Sequence, residues 1–267
     1  MPGEFEAIDR IRRLFPDPPA GEVWIGDDAA VLPGGLLVAA DALVYGRHVL
    51  PDAPLDDLGW KAIATNASDI AAMGGRPTHC LVTVAGPADT NLDLLYAGIA
   101  EATAVYGCPV VGGDLVNASE LTVSVTVLGT TDGRAPVLRS GARPGDLIYV
   151  TGPLGGAAAS GYRVRPVARV AEGIAAAVAG ATAMIDVSDG LFADLNHLLE
   201  ASGVGVGLAP IPIAPGATAE QAMGGGDDYE LVFAAPAHAE VAGIRIGRCT
   251  DDVSQRPTST GWEHTWR

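Results

Sequence analysis

Aspartates stand beside glycine, serine or the end of an apolar run in six short motifs: Gly26-Asp27-Asp28, Ala40-Asp41, Ser68-Asp69, Gly113-Asp114, Asp186-Val187-Ser188-Asp189 and Gly226-Asp227-Asp228. Magnesium is a hard cation that takes a few carboxylate oxygens together with waters and substrate phosphates, so scattered aspartates suit it. Loop glycines let backbone N–H groups approach a phosphate closely. Taken singly each motif is weak, because an Asp beside Gly is more often a turn residue than a ligand. Asp189, just before a helical pattern, reads equally as a helix N-cap, and Asp27 as a turn residue or a support for the ligands. The set carries more weight. Asn66 and Asp69 lie three apart in a helical pattern and emerge on one face. That face also holds Ala62 and Met73, where a carboxylate is costly unless paired or metal-bound. Asp186 and Asp189 fall where a strand runs into a helix, with Ser188 and the Gly190 amide as donors to an anion in the same turn.

Other phosphate chemistries are not encoded. The chain contains neither a G-x-x-x-x-G-K-[ST] loop nor a kinase catalytic-loop pattern, and Gly152-Pro153-Leu154-Gly155-Gly156 lacks the lysine of a P-loop. The formal charge is −16, so there is no global positive field to attract a polyanion or nucleic acid. Bound divalent cations are the obvious way to neutralise one. With a single lysine, Lys61, positive charge at a phosphate must come mainly from arginines and metals. Arg139 and Arg143, flanking Ser140-Gly141, are best placed for it, and read equally as solvated charges of a linker.

The elements that would position these residues are mixed. Helices are expected over 3–15, 55–73, 91–106 (capped by Asp89 or Thr90) and 191–202, with an Ala-rich helical region up to about 180. Strands are expected at 29–32, 36–40, 121–128, 147–150, 184–185, 204–208, 229–234 and 243–247, that at 121–128 from its clean alternation. The polar stretch Arg139 to Asp146 separates residues 1–140 from 141–267, giving an α/β or α+β chain of two domains. At 48% hydrophobic and 5% aromatic residues, the core is built from small and branched aliphatics. Three widely spaced cysteines (Cys80, Cys108, Cys249) make neither a zinc pattern nor a disulfide framework and suit a reducing compartment. Neither a signal peptide nor a bilayer-spanning apolar run is apparent, so a cytoplasmic protein is expected.

In their order along the chain, the motifs resemble the thiamine-monophosphate kinase family, within the aminoimidazole ribonucleotide synthetase-like superfamily. The carriers are Gly26 to Leu32, Asp41 to Val44 with Gly46-Arg47-His48, Lys61-Ala62, and Asn66 through Gly75 with its Ser-Asp-Ile-Ala-Ala-Met-Gly-Gly core. Gly112-Gly113-Asp114, Arg139 to Ala142, Val150-Thr151-Gly152, Asp186 to Leu191 and Asp228 to Leu231 continue it. The resemblance implies ATP-dependent phosphorylation of thiamine monophosphate to thiamine diphosphate, by in-line transfer without a phosphoenzyme. It implies several magnesium ions held by Asp28, Asp41, Asp69, Asp114, Asp186 and Asp189. It places Gly113, Asp114, Arg139 and Ser188 at ATP, and His48, Asp227 and Trp262 at the acceptor, with Trp262 stacking on its ring. No side chain need act as a strong general base, because the attacking phosphate oxygen is already ionised. The implied architecture is an N-terminal α/β domain whose strands pair across a homodimer and a C-terminal α+β domain, with ATP between them.

The chain also departs from the family pattern. Ala39-Ala40 stands where Ser/Thr-Thr is usual, Val49 replaces Phe, Asp227 replaces Glu, and residues 155–185 and 205–226 are shorter. Two further readings therefore stand beside the first. One is a superfamily enzyme with another acceptor, although selenophosphate synthesis would want a reactive Cys before Cys80. The other is a non-catalytic nucleotide- or metal-binding homologue. His48 alone reads also as a turn histidine bonded to backbone, and Trp262 as a core plug.

Overall fold

The structure, a computed structural model, describes residues 4–258 and 260–262. The first half places five strands in one sheet: β1 (Ala30–Leu32), β2 (Leu36–Val44), β3 (Arg76–Gly86), β4 (Val110–Asn117) and β5 (Thr122–Thr130). Their order is β1-β2-β5-β3-β4, antiparallel except for the parallel pair β3 and β4. Alternation along β5 makes the sheet two-faced: Val123, Val125 and Val127 are buried, while Thr122, Ser124 and Thr126 stand on the other side. The second half forms another five-stranded sheet from β6 (Leu147–Val150), β7 (Ala183–Asp186), β8 (Gly205–Leu208), β9 (Leu231–Ala235) and β10 (Ile244–Thr250). Its order is β7-β9-β6-β10-β8, and every pair is antiparallel.

The helix α2 (Leu55–Ala72) joins the two halves. Fourteen of its residues are buried, because it is covered on several sides. Leu58, Ile63 and Ala64 pack on the first sheet and on α3 (Leu92–Tyr106). Ala71 and Ala72 pack on Met184, Leu231 and Phe233 of the second sheet and on α5 (Val170–Val178). Each buried Leu or Ile removes enough apolar surface from water to contribute about 1.5–3 kcal/mol. α2 and α3 meet backbone to backbone: a Cβ on Gly98 would lie 1.9 Å from the Asp56 carbonyl oxygen. On the far face of the second sheet, α6 (Leu191–Ser202) buries Leu191, Leu195, Leu198 and Leu199. The helices α1 (Glu4–Arg12), α4 (Gly156–Ala159) and α7 (Ala219–Gly224) complete the set among the described residues.

Several expectations are corrected. The strand β3 was not anticipated, because its apolar positions are diluted by Arg76, Pro77, Thr78 and His79. The cap of α3 is neither Asp89 nor Thr90 but Asn91, whose Oδ1 accepts the Leu94 N–H at 3.1 Å. Gly112-Gly113-Asp114 lies inside β4 rather than in a loop following a strand. The Ala-rich region is two short helices, with a bonded connection over residues 160–169 between them. Residue 3, assigned to the first helix from its pattern, lies outside the described residues.

Candidate active site

The three carboxylates Asp28, Asp69 and Asp186 come from widely separated parts of the chain and converge. One oxygen from each lies within 4.8 Å of the others. Asp28 comes from the segment leading into β1, Asp69 from the last turn of α2, and Asp186 from the end of β7. Asp41 sits on the face of β2 shared with buried Leu37, Ala39 and Leu43. Its own N–H donates to Asn66 Oδ1 at 3.1 Å. Asn66 and Ser68, both buried on α2, hold the cluster: Ser68 Oγ donates to Asp186 Oδ2 at 2.7 Å.

This arrangement carries surplus negative charge. Burial, then the charges of Asp41, Asp186 and Asp28, push the Asp69 carboxyl well above its ordinary range. Burial and the Asp28 charge push Asp186 up to about 8. Asp69 also lies in the final turn of α2, where the helix dipole disfavours an anion and no basic residue compensates. Arg139 is the cation at the cluster, its Nη2 2.8 Å from Asp28 Oδ1 and its Nε 3.3 Å from Oδ2. Burial works against its charge, and Asp28 and Asp27 more than restore it. Asp27 accepts the backbone N–H of Arg139 at 3.1 Å and that of Asp28 at 3.0 Å, so it braces the pair rather than facing the cluster. Burial and the Asp28 charge push Asp27 up to about 7. An all-oxygen donor set with unbalanced charge, desolvated and braced from behind, fits a hard divalent cation.

Beside the cluster opens a cleft of about 400 Å³, lined among others by Asp41, His48, Lys61, Ser188, Asp189, Asp227, Tyr229 and Trp262. The turn holding Ser188 and Asp189 is tied to two segments: the Asp227 N–H, before β9, donates to Ser188 O at 2.7 Å, and the Trp262 N–H, after β10, to Asp189 O at 3.0 Å. His48 Nδ1 accepts the Val44 N–H at 2.8 Å, so the ring does bond backbone, through an N–H rather than a carbonyl, while lining the cleft. Trp262 is 60% exposed at the mouth and is not a core plug. Asp189 does not cap α6; the buried Asp194 accepts the N–H groups of Asp189 and Gly190 at 3.1 and 3.0 Å.

Two expected residues stand apart. Gly113 and Asp114 lie on β4, an edge of the first sheet, all of whose residues are exposed. Gly113 is required there, since a Cβ would meet the Val82 carbonyl oxygen at 1.7 Å and its φ is +151°. Arg143 is exposed and away from the cleft, so the flanking pair of arginines is split. The glycine-rich turn at 152–156 holds an internal anion: Asp228 accepts the N–H groups of Gly155 at 2.6 Å and Ala157 at 3.2 Å. Lys61, Tyr229 and Asp194 were not singled out for the site. A signal for Lys61 existed, since it lies two helical turns before Ser68 and therefore on the same face of α2. For Asp194, one acid in the first turn of a helix, no such signal existed.

Comparison with known proteins agrees with this geometry. Residues 26–131 match the family model described as AIR synthase related protein, N-terminal domain. The chain is 39% identical to the thiamine-monophosphate kinase of Mycobacterium tuberculosis (strain CDC 1551 / Oshkosh), over 93% of this chain and 85% of that protein. It is 36% identical to the thiamine-monophosphate kinase of Methanopyrus kandleri, over 86% and 84%. Among solved structures, AaThiL complexed with AMPPCP and TMP superposes with a TM-score of 0.90 and 31% identity, over 98% of this chain and 97% of that one.

Proposed function

Because this chain belongs to the thiamine-monophosphate kinase family, we propose that it phosphorylates thiamine monophosphate with ATP and magnesium, giving thiamine diphosphate. The observation that carries this reading is the convergence of Asp28, Asp69 and Asp186 beside a cleft lined by His48, Asp227 and Trp262. The related structure holding AMPPCP and TMP supports both the donor and the acceptor.

Asp28, Asp41, Asp69, Asp186 and Asp189 would hold the magnesium ions, with Asp114. Bound there, the ions supply the charge neutralisation that lets two phosphate-bearing substrates approach. The protein's own share is alignment and electrostatics. Arg139, paired with Asp28 in the structure, would bind a nucleotide phosphate, and Ser188 would donate to the same nucleotide. Gly113 lets backbone approach it. His48 and Asp227 orient the acceptor, and Trp262 at the mouth stacks on its ring. The acceptor phosphate oxygen attacks the γ-phosphorus directly, with no side chain as base and no covalent phosphoenzyme. The chain divides near residue 140, which the separate sheets β1–β5 and β6–β10 support.

The position of Asp114 supports a homodimer. β4 stands three strand positions from β2, about 14 Å at ordinary strand spacing, too far to join Asp41 within one copy. Its exposed Val111, Leu115 and Val116 would be covered by the sheet of a second copy, bringing Asp114 to that copy's cluster. Among the described residues no helix is long and apolar enough to cross a membrane, and we place the enzyme in the cytoplasm.

The test is turnover of ATP, magnesium and thiamine monophosphate, following thiamine diphosphate chromatographically, with Asp189→Asn alongside. Product from the wild type and a loss of about 100-fold or more in the variant are expected. A wild type that makes no product while still binding ATP would reject this acceptor. A protein radiolabelled by γ-labelled ATP would reject direct transfer.

A further inference from the structure

The only lysine of the chain is placed where a lysine is costly. Lysine side chains ordinarily keep their ammonium in water, yet that of Lys61 is 9% exposed, inside α2 between Trp60 and Ala62. Its ammonium donates to the His48 carbonyl oxygen at 2.7 Å and forms an ion pair with Asp227 Oδ2. Asp227 is itself tightly fixed. Its other oxygen accepts the Tyr229 hydroxyl at 3.3 Å, its N–H is bonded to Ser188, and its φ is +61°, a conformation a non-glycine residue seldom adopts. Lys61 and Asp227, with Val49, Leu50 and Tyr162, line both the main cleft and a smaller side pocket of about 80 Å³, so the pair stands where the two meet. The side pocket's own cations are already engaged, Arg163 by Asp52 and Arg165 by Asp56, Asp57 and Glu101.

We propose that Lys61 is a positioning residue for the acceptor: one buried ammonium locks the His48 turn and the Asp227 carboxylate into a single unit. Asp227 then presents a fixed carboxylate to the cleft, which selects acceptors carrying an N–H donor or a positive charge on the ring rather than any phosphate ester. Lys61 acts through Asp227 and touches no phosphate. This rests on the acceptor reading above, and deepens it by naming the group that sets acceptor choice.

The experiment measures thiamine monophosphate affinity by calorimetry with AMPPCP and magnesium present, and KM for both substrates, in wild type, Lys61→Met, Asp227→Asn and the double variant. Each single variant is expected to weaken acceptor binding about tenfold, with KM for ATP within about twofold of wild type. The double variant should be no weaker than Asp227→Asn alone, because the lysine has no role once the carboxylate is gone. Weakening in the double variant by the product of the single effects, about 100-fold, would overturn the proposal and point to direct contact between Lys61 and phosphate. Unchanged acceptor affinity in Lys61→Met would also overturn it, while leaving the proposed function intact. If Lys61→Met alone does not fold, the double variant, which leaves no charge unpaired, is compared with Asp227→Asn and decides the matter. A wild type that neither binds nor phosphorylates thiamine monophosphate removes both readings.

Discussion

At the residue scale, the cluster stores repulsion that the fold tolerates because a ligand relieves it. Asp27, pushed up to about 7, and Asp186, pushed up to about 8, hold protons in the folded state that the unfolded chain releases near 3.8. A raised carboxyl pKa contributes stability that is fully present below the unfolded value and is lost as pH rises through the folded one. The metal-free protein should therefore lose stability from about pH 4 to 8, and a Tm fall of roughly 5 °C or more is expected across that window. Thermal melts with and without magnesium check this: the ion should flatten the upper part of the profile. His197 runs the other way. Burial holds it down to about 4, so its contribution is lost as pH falls from its unfolded 6.5 toward that value. Over the window the two trends share, two carboxyls outweigh one imidazole, so His197 only makes the fall shallower below about pH 6.5.

At the element scale, α2 determines whether the site exists. It carries Lys61, Asn66 and Ser68 on buried positions and Asp69 beside them, and it is clamped between two sheets and α3. Its approach to α3 admits no side chain at Gly98, where an added Cβ would overlap backbone of Asp56. Gly98→Ala should therefore destabilise the protein by about 1–3 kcal/mol or more through overpacking, visible as a lowered denaturation midpoint. Because the displaced segment begins one turn before Lys61, acceptor KM should rise as well. Residues 160–169 hold α2 from the other side. Trp60 Nε1 donates to Pro166 O at 2.7 Å, and Arg165 lies 5.4 Å over the Trp60 ring while pairing with three carboxylates. The expectation of an Ala-rich helical region did not show this break, since the fixed geometry of residues 160–169 comes from contacts about sixty to one hundred residues away.

At the whole-molecule scale, the open edge at β4 and the separation of Asp114 from the carboxylate cluster make the proposed dimer part of the chemistry. Mixing Asp114→Asn protein with Asp186→Asn protein, each inactive alone, should restore up to about half of the sites in mixed dimers if Asp114 acts across the interface. Activity that stays absent after subunit exchange, with mixed dimers shown to form, would place Asp114 with the cluster of its own copy. The overall charge of −16 leaves attraction of phosphate substrates to Arg139 and to bound metal.

Much of the molecule was written locally. The alternation of residues 121–128 made β5 legible, and the end of α6 before Gly203 followed from a periodic pattern stopping at a residue that accepts a left-handed backbone. The candidate ligands were legible too, because carboxylates beside strand ends and loop glycines form a pattern that repeats along the chain and matches a family in order. Which of them meet was not legible. Asp28, Asp69 and Asp186 are brought together by the packing of α2 between the two sheets, while Asp114 is carried off on an edge strand. Lys61, assigned no role in the site from the sequence beyond the family resemblance, was placed by the same helix against Asp227, 166 positions away. Spacing along a chain records the period of one element. The distance between side chains on different elements depends on the angles and layers in which those elements pack, and these arise only when the apolar faces of the whole chain are buried together.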